Sequence, residues 1–304
     1  MAEGALLACP EEHCREQSTG TTGPGEAIVE VAGLWSWYEG GPPVLGGLDL
    51  QVPAGQLLAL VGANGSGKTT LVKHLNGLLR ARRGTVRVAG LDAARHPVGE
   101  MARHVGFLFQ HPEQQIFSAT VEQEVTFGPR NLGLPAADAR ERVAAALARF
   151  QLESVAGRPP AILGYGLRRK VTLASLAAMD PEVLVLDEPT VGLDAHGRHE
   201  MLDWVADLHA RSRTIVLVTH DMALVAGCAE RMVVLHDGQI VADGPPRAVF
   251  QDEDLLARAS LASPPVVALA RALRGHGFQG NGLTVEAFCD EYAALAGENH
   301  ERAF

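Results

Sequence analysis

The chain has 304 residues, of which 47% are hydrophobic and 20% are charged, so a disordered chain is excluded and one large or two smaller domains fit. The net charge of −10 argues against a general nucleic-acid-binding protein, and we expect no nucleic acid among its partners. No apolar run approaches the roughly 18 residues that a membrane-spanning helix requires.

The chain begins with a predicted flexible leader that ends near residue 26. Residues 18–25 are rich in Ser, Thr, Gly and Pro, and no basic region of a secretory signal precedes them. Cys9, His13 and Cys14 lie close together and raise the alternative of a metal site. Because no second pair of ligands accompanies them, we favour reduced thiols in a leader without metal.

After the leader, short strand patterns are followed by a helical region and then by further strands. Strands are predicted at residues 27–31, 48–52, 57–61, 84–88, 105–109, 183–186, 215–218 and 232–235. Residues from about 111 to 180 are helical in pattern, with Pro135 as the first helical residue of a helix at 135–152 and Val143, Leu147 and Phe150 on one face. Residues 246–304 predict a small helical extension. The sequence therefore predicts an α/β protein with an inserted helical subdomain.

Residues 62–69 match the phosphate-loop pattern G-x-x-x-x-G-K-[ST], between an apolar strand and the start of a helix. The candidate nucleotide-binding residues are Gly62, Ala63, Asn64, Gly65, Ser66, Gly67, Lys68, Thr69 and Thr70. The glycines let backbone N–H groups point at phosphate oxygens, and the helix N-terminus adds partial positive charge. Lys68 is predicted to reach the β- and γ-phosphates, and the Thr69 hydroxyl to bind Mg²⁺. A glycine-rich turn with a chance lysine is the alternative.

Two adjacent acids, Asp187 and Glu188, follow the buried-strand pattern at residues 183–186. An acid at the end of a buried strand can hold Mg²⁺, directly or through water, and Asp187 fits that role. Glu188 is predicted to polarise the water that attacks the γ-phosphate. A chance pair of surface acids is the weaker interpretation, because four apolar strand residues precede the pair.

Taken together, the motifs resemble those of ABC-transporter ATPases over roughly residues 27–245. The resemblance rests on the phosphate loop, Gln110 at a strand end, Leu-Asp-Glu-Pro-Thr at 186–190, Gly-Leu-Asp at 192–194 and Thr-His-Asp at 219–221. It implies a P-loop NTPase core with an inserted helical subdomain at about 111–180. It also implies hydrolysis of ATP, with Mg²⁺ as cofactor, by one half of an ATPase dimer.

The same resemblance assigns roles to residues that are uninformative alone. Tyr38 resembles the aromatic that stacks on adenine, and Gln110 resembles the Q-loop glutamine that contacts Mg²⁺ and water. Asp194 resembles the D-loop aspartate that crosses the dimer interface, and His220 resembles the switch histidine that contacts the γ-phosphate. The implied catalytic set is Glu188, His220, Lys68 and Gln110. The implied Mg²⁺ ligands are Thr69, Asp187 and Gln110.

A narrower resemblance joins the chain to the ATPases of energy-coupling-factor importers. Residues 110–129 are similar to the corresponding segment of that group, and Pro-Pro-Val-Val-Ala-Leu-Ala at 264–270 fits it as well. In that group two ATPase subunits drive a transmembrane coupling protein, which carries a separate substrate-binding membrane protein. The resemblance implies a peripheral protein on the cytoplasmic face of the membrane, and a vitamin or a transition-metal ion as cargo.

The chain departs from its family at the signature segment. The usual Leu-Ser-Gly-Gly-Gln is replaced by Leu-Gly-Tyr-Gly-Leu at 163–167. Gly164 lacks the serine hydroxyl, although Gly164 and Gly166 still offer backbone N–H groups to a phosphate. Loss of a hydrogen bond to a charged group costs roughly 1.5–3 kcal/mol, or about ten- to a hundredfold in rate. The second ATPase subunit is therefore expected to be a different chain with an intact signature, and a second copy of this chain is the alternative.

Three other functions stay open at this point. A soluble ABC-type ATPase is disfavoured because the chain has a single cassette and an acidic balance. A P-loop kinase or GTPase is disfavoured by the segment at 186–194 together with His220. A regulatory subunit that binds ATP with weak hydrolysis is kept open by the altered signature, although Glu188 argues against it.

Overall fold

The structure is a computed structural model that describes residues 26–111, 115–276, 278 and 280–301. The predicted leader up to residue 25 and the group of Cys9, His13 and Cys14 lie outside the described residues. The strands are β1 (Ala27–Trp37), β2 (Pro43–Pro53), β3 (Leu57–Val61), β4 (Arg83–Val88), β5 (Leu91–Asp92), β6 (Val105–Leu108), β7 (Val183–Asp187), β8 (Thr214–Val218), β9 (Arg231–His236) and β10 (Gln239–Gly244). The helices are α1 (Lys68–Leu75), α2 (Val98–Met101), α3 (Val121–Asn131), α4 (Ala136–Arg149), α5 (Tyr165–Met179), α6 (Ala195–Ala210), α7 (Met222–Cys228), α8 (Pro246–Val249), α9 (Glu253–Arg258), α10 (Pro265–Leu273) and α11 (Val285–Glu301).

A central sheet, six-stranded in the described part of the chain, has the order β10-β9-β3-β8-β7-β6. All neighbouring strands from β9 to β6 run parallel, and β10 joins the edge as an antiparallel strand. Every residue of β3, β7 and β8 is buried, which explains why these strands are continuous apolar runs in the sequence. Parallel strands place their carboxyl ends at one edge of the sheet, where loops of α/β proteins bind ligands.

A second sheet is antiparallel, with the order β2-β1-β4-β5 across the described residues. Its apolar face shares one core cluster with α1, which contributes Leu71, Val72 and Leu75. Arg231, the first residue of β9, connects the two sheets. Its guanidinium donates to both carboxylate oxygens of Asp243 on β10, at 2.5 and 2.6 Å, and to the carbonyl oxygen of Gln51 on β2, at 2.8 Å.

Helices α3, α4 and α5 lie between β6 and β7 in the chain and share a second core cluster. Val143, Leu147 and Phe150 are buried, so the predicted apolar face of α4 does face the core. The prediction that Pro135 is the first helical residue is wrong. Its ψ of 143° is extended, and the helix begins at Ala136 with Pro135 as the capping residue. The Pro135 carbonyl still accepts a hydrogen bond from the Ala139 N–H, as a capping carbonyl does.

The C-terminal helices extend the fold beyond β10. Val249, Phe250 and Leu256 pack in a third core cluster with Met232 of β9 and Val225 of α7. This packing places α8 and α9 against the sheet. Among the described residues, no helix has both the length and the apolar character of a membrane-spanning segment. The α/β class predicted from the sequence is confirmed by this architecture.

Candidate active site

The phosphate loop connects the carboxyl end of β3 to the first turn of α1, and its glycines make close backbone contacts. Gly62 has a φ of 151°, and a Cβ atom there would lie 2.1 Å from the Leu235 carbonyl oxygen at the end of β9. Gly67, the capping residue of α1, has a φ of 106°, and its Cβ would lie 2.7 Å from the Leu45 side chain. Larger residues would therefore push the loop away from the sheet. The loop shape depends on glycine at these two positions.

Lys68 folds back over the phosphate loop. Its Nζ donates to the carbonyl oxygens of Gly62 and Ala63, at 2.7 and 2.9 Å. Burial lowers the pKa of Lys68, and the nearby charges of Glu188 and Asp187 oppose that shift. Lys68 is also the first residue of α1, where the N–H groups of the first turn have no partner within the helix. This arrangement concentrates positive charge where the phosphates of a nucleotide are predicted to bind.

Thr69 and Asp187 supply two oxygen atoms to one place between α1 and β7. The Thr69 hydroxyl donates to Asp187 Oδ2 at 3.1 Å, and Asp187 is buried, with 3% of its surface exposed. Burial raises the pKa of Asp187, and the hydrogen bond from Thr69 opposes that rise. A hydroxyl and a carboxylate fit Mg²⁺, which takes few protein oxygens and completes its shell with water and phosphate oxygens. The donor set at this position therefore fits the metal that the sequence predicts.

Glu188 is held on both sides of its carboxylate by residues that follow β8. Its Oε1 lies 2.7 Å from Nδ1 of His220 and accepts from the His220 backbone N–H at 3.1 Å. Its Oε2 accepts from the Thr219 hydroxyl at 3.2 Å. The Glu188 side chain is 10% exposed and that of His220 is 71% exposed. The carboxylate is thus fixed in direction, while most of the imidazole stays exposed.

Tyr38 and Gln110 are the two other candidate residues near the phosphate loop and Glu188, and they follow strands β1 and β6. The Tyr38 hydroxyl lies 3.2 Å from the hydroxyl oxygen of Thr70 on α1, and half of the tyrosine surface is exposed. Its exposed ring at the base of the phosphate loop suits the stacking role that the resemblance implies. Gln110 follows β6, and its backbone carbonyl accepts from the Tyr165 hydroxyl at 3.4 Å and from Arg169 Nη1 at 3.2 Å.

The signature segment and the D-loop form a neighbouring group. Gly164 caps α5, and the Tyr165 ring packs on Gly192, where a Cβ atom would lie 2.1 Å from the ring. A Cβ on Gly166 would lie 3.3 Å from the Gly192 carbonyl oxygen. Asp194 caps α6 by accepting from the Gly197 N–H at 2.7 Å. The structure thus brings Lys68, Thr69, Asp187, Glu188 and His220 together, whereas Gly164, Gly166 and Asp194 lie around Gly192.

Arg169 is a site residue to which the sequence motifs assign no role. It is fully buried and donates to the carbonyl oxygens of Asp187 and Glu188, among others. A signal was present in the sequence, since Arg169 lies in line with buried Thr172, Leu173 and Leu176 on one face of α5. A charged residue in the apolar stripe of a helix must find polar partners inside the protein.

Comparison with known proteins finds ABC transporter ATPases. A model of the ABC transporter family matches residues 45–191. The energy-coupling factor transporter ATP-binding protein EcfA of Methanocaldococcus jannaschii is 40% identical over 248 residues, covering 81% of this chain and 89% of that protein. A putative ABC transporter ATP-binding protein of Streptomyces coelicolor is 41% identical over 275 residues, covering 90% and 96%. The solved structure of cbiO1 from Clostridium perfringens, part of the ABC transporter complex cbiONQ, is 32% identical with a TM-score of 0.67, covering 82% of this chain and 98% of that one.

Proposed function

The chain belongs to the ABC transporter family, in the group of energy-coupling factor transporter ATP-binding proteins, and we propose that it powers import of a vitamin or a transition-metal ion. The resemblance inferred from the motifs is confirmed, and the chain is an ABC-type ATPase. The single observation that carries the proposed mechanism is the orientation of Glu188 by His220 and Thr219 beside the phosphate loop.

In the proposed mechanism ATP binds with its phosphates in the turn at residues 62–69. Backbone N–H groups and the Lys68 ammonium contact the phosphate oxygens, and the Tyr38 ring stacks on adenine. Thr69 and Asp187, with Gln110 as a further ligand, would hold Mg²⁺, which neutralises charge on the β- and γ-phosphates when it is bound. Lys68 must exchange its bonds to the loop carbonyls for bonds to phosphate as the nucleotide enters.

Hydrolysis then depends on Glu188. Its carboxylate orients a water molecule in line with the γ-phosphate and accepts a proton from that water. The water oxygen bonds to the γ-phosphorus as the bond to the β-phosphate oxygen breaks, which yields ADP and inorganic phosphate. His220, bonded to Glu188 through Nδ1, presents its other ring edge to the transferred phosphoryl group. The reaction needs no covalent intermediate with the protein.

The active unit is proposed to be a pair of ATPase subunits, with Asp194 at their interface. The signature helix of each subunit would face the γ-phosphate held by the other. In this chain the capping position of α5 is Gly164, which makes no side-chain hydrogen bond to the helix. The site that this helix would complete lacks a hydroxyl, so we propose a partner subunit with an intact signature and an asymmetric pair. A pair of identical copies is the alternative.

The surface that would receive the membrane subunits is an open groove of about 560 Å³ beside α3. Phe117 is 65% exposed and packs edge-on against Phe127, with ring centroids 4.6 Å apart. Buried Glu124 holds the loop in place by accepting from the backbone N–H groups of Phe117 and Ser118, at 3.1 and 2.8 Å. A pair of exposed aromatic rings, one on a fixed loop and the other on α3, suits a protein interface. The residues that line this groove follow Gln110 in the chain, so a movement of Gln110 upon ATP binding or hydrolysis would be passed through them to the membrane subunits.

Isolation of the native complex tests the proposal. We expect the full-length chain, purified gently from its own membranes, to carry a second ATPase subunit type, a transmembrane coupling protein and a small membrane protein. Phe117→Ser should release the membrane subunits while ATP binding persists. Val241→Ser is the matched control, because Val241 is 42% exposed on β10, at the edge of the central sheet opposite to β6.

Three results would contradict parts of this proposal. Recovery of the chain without any membrane protein would favour a soluble ABC-type ATPase. Rapid ATP-saturable turnover by a pair of identical copies would remove the asymmetric arrangement. Binding of ATP with no detectable hydrolysis in the intact complex would favour a regulatory subunit, which the missing serine at position 164 keeps as the second candidate.

A further inference from the structure

The guanidinium of Arg169 joins the ends of two central strands. Its Nη1 donates to the carbonyl oxygens of Phe109 and Gln110 after β6, at 2.5 and 3.2 Å. Its Nη2 donates to the carbonyl oxygens of Asp187 and Glu188, at 3.1 and 2.6 Å. Its Nε donates to the carbonyl oxygen of Pro189 at 3.4 Å. The side chain has no exposed surface.

These contacts use the donor geometry of arginine in full. A guanidinium carries five N–H donors in a fixed planar fork, whereas a lysine ammonium offers three donors from one point. Only the planar fork spans both strand ends at once, because its two Nη atoms face different strands. Arg169 therefore sets the separation between the segment that begins the Q-loop and the segment that carries the paired acids.

Glu188 needs such support because its backbone is strained. Its φ of 49° lies in the left-handed region, which costs free energy for a residue with a Cβ atom. Its N–H donates to the Val218 carbonyl at 2.8 Å, and its own carbonyl accepts from Arg169. With both backbone polar groups bonded, the side chain is directed at Thr219 and His220.

We propose that Arg169 is a positioning residue for ATP hydrolysis. It fixes the backbone of Glu188 and of the residues on either side of it, together with the backbone at the start of the Q-loop. It acts through the carbonyl groups of residues 187–189 and 109–110. This proposal rests on the proposed role of Glu188 as the residue that activates water. Because Arg169 belongs to the first turns of the signature helix, it also ties the altered signature to the hydrolytic centre of the same chain.

The test uses the full-length chain purified with its partner subunits. Arg169→Lys keeps the charge and removes the planar fork, and Arg168→Lys is the matched control on the adjacent position of α5. We measure kcat and KM for ATP and normalise kcat to the stoichiometry of bound nucleotide, which discounts unfolded protein. A misplacement near 1 Å can cost about a hundredfold in rate. We therefore expect kcat to fall roughly ten- to a hundredfold in Arg169→Lys, with KM within about threefold of wild type.

A double variant separates positioning from general stability. If Arg169 acts largely through Glu188, Arg169→Lys should slow the residual single-turnover hydrolysis of Glu188→Gln by much less than it slows that of the wild type. Equal slowing in both backgrounds, a kcat no lower than that of Arg168→Lys, or loss of nucleotide binding by Arg169→Lys would each overturn the inference. Wild-type turnover in Glu188→Gln alone would instead refute the proposed role of Glu188, so the two failures are distinguishable.

Discussion

One carboxylate oxygen of Glu188 contacts His220 twice. Its Oε1 lies 2.7 Å from the imidazole Nδ1 and 3.1 Å from the backbone nitrogen of the same histidine. This double contact fixes the carboxylate relative to the end of β8 as well as to the imidazole ring. The histidine that would sense the γ-phosphate and the acid that would activate water therefore cannot move independently.

The first prediction concerns Glu188→Gln. The one carbonyl oxygen of a glutamine can still accept from His220, whereas its NH2 group would donate to the Thr219 hydroxyl, and a glutamine cannot take a proton from water. We expect ATP affinity within about twofold of wild type and turnover lower by roughly 10²–10⁴. Phosphate release and equilibrium binding of ATP measure the two effects. Glu182→Gln is the control and should retain turnover, because Glu182 directly precedes β7, at the end of the strand away from Glu188. Steady turnover in the Glu188 variant would remove Glu188 as the base.

The second prediction concerns Lys68→Ala. The substitution removes the cation beside the phosphate loop and leaves the Gly62 and Ala63 carbonyls without their donor. We expect affinity for ATP to fall by roughly ten- to a hundredfold, the value of a hydrogen bond to a charged group. Titration with a fluorescent ATP analogue measures the loss. Lys73→Ala, further along the same helix, is the control, and unchanged affinity in the Lys68 variant would contradict the loop assignment.

The third prediction concerns the pH dependence of stability through Asp187. Burial raises the pKa of this carboxyl above its unfolded value, so the folded chain binds the proton more tightly than the unfolded chain does. The ionised form therefore destabilises the nucleotide-free fold above the folded pKa, and this loss disappears as pH falls below the unfolded pKa. We expect Asp187→Asn to raise the midpoint of thermal unfolding at neutral pH, with a smaller gain in acid. Asp203→Asn, at an exposed site on α6, should show no such gain.

A gain at neutral pH that persists undiminished in acid would refute the electrostatic explanation for Asp187. The same variant should bind Mg²⁺ and ATP less well, because a neutral amide replaces the negatively charged carboxylate beside the Thr69 hydroxyl. Asp187 is thus predicted to lower the stability of the nucleotide-free protein and to increase its affinity for Mg²⁺ and ATP.

The fourth prediction concerns Gly164→Ser. The position caps α5 and is open, because a Cβ atom added there would meet no atom within 4 Å apart from its chain neighbours Leu163 and Tyr165, so a serine fits there. A Gly-to-Ser change at a helix cap alters stability by only about a few tenths of a kcal/mol. We expect turnover at the site that this helix completes to rise roughly tenfold, because the hydroxyl restores a hydrogen bond to phosphate. Gly157→Ser, also at an open position, is the control for stability.

Measurement of ATPase activity in the intact complex decides the outcome for Gly164→Ser. An unchanged rate would show that the serine hydroxyl does not limit the reaction, and it would shift attention to Tyr165, whose ring occupies the space over Gly192. A fall in rate would argue that the tyrosine and the added serine compete for the same place.

Local patterns in the sequence predicted the parts of this protein that local chemistry determines. In the structure β3 ends directly before the phosphate loop, and β7 ends at Asp187, the first of the two acids. Contacts between segments that are distant in the sequence cannot be predicted from such local patterns. Strand β10 lies at the sheet edge and has no buried residue, so it lacks the buried apolar run that predicts β3, β7 and β8. The role of Arg169 is not predicted either, because its partners lie at the ends of β6 and β7, 20 or 60 residues away. The sequence pattern puts Pro135 one position too far into α4, because the sequence shows the proline but not its ψ.

The contacts of Arg231 affect how the nucleotide-free protein unfolds on heating. It binds a side chain on β10 and a backbone carbonyl on β2, so strands of both sheets depend on one guanidinium. The shared apolar cluster of Leu58, Val233 and Val29 joins the same two layers. Neither layer can separate without exposing the other, and heating should therefore give one calorimetric peak for the pair rather than two steps.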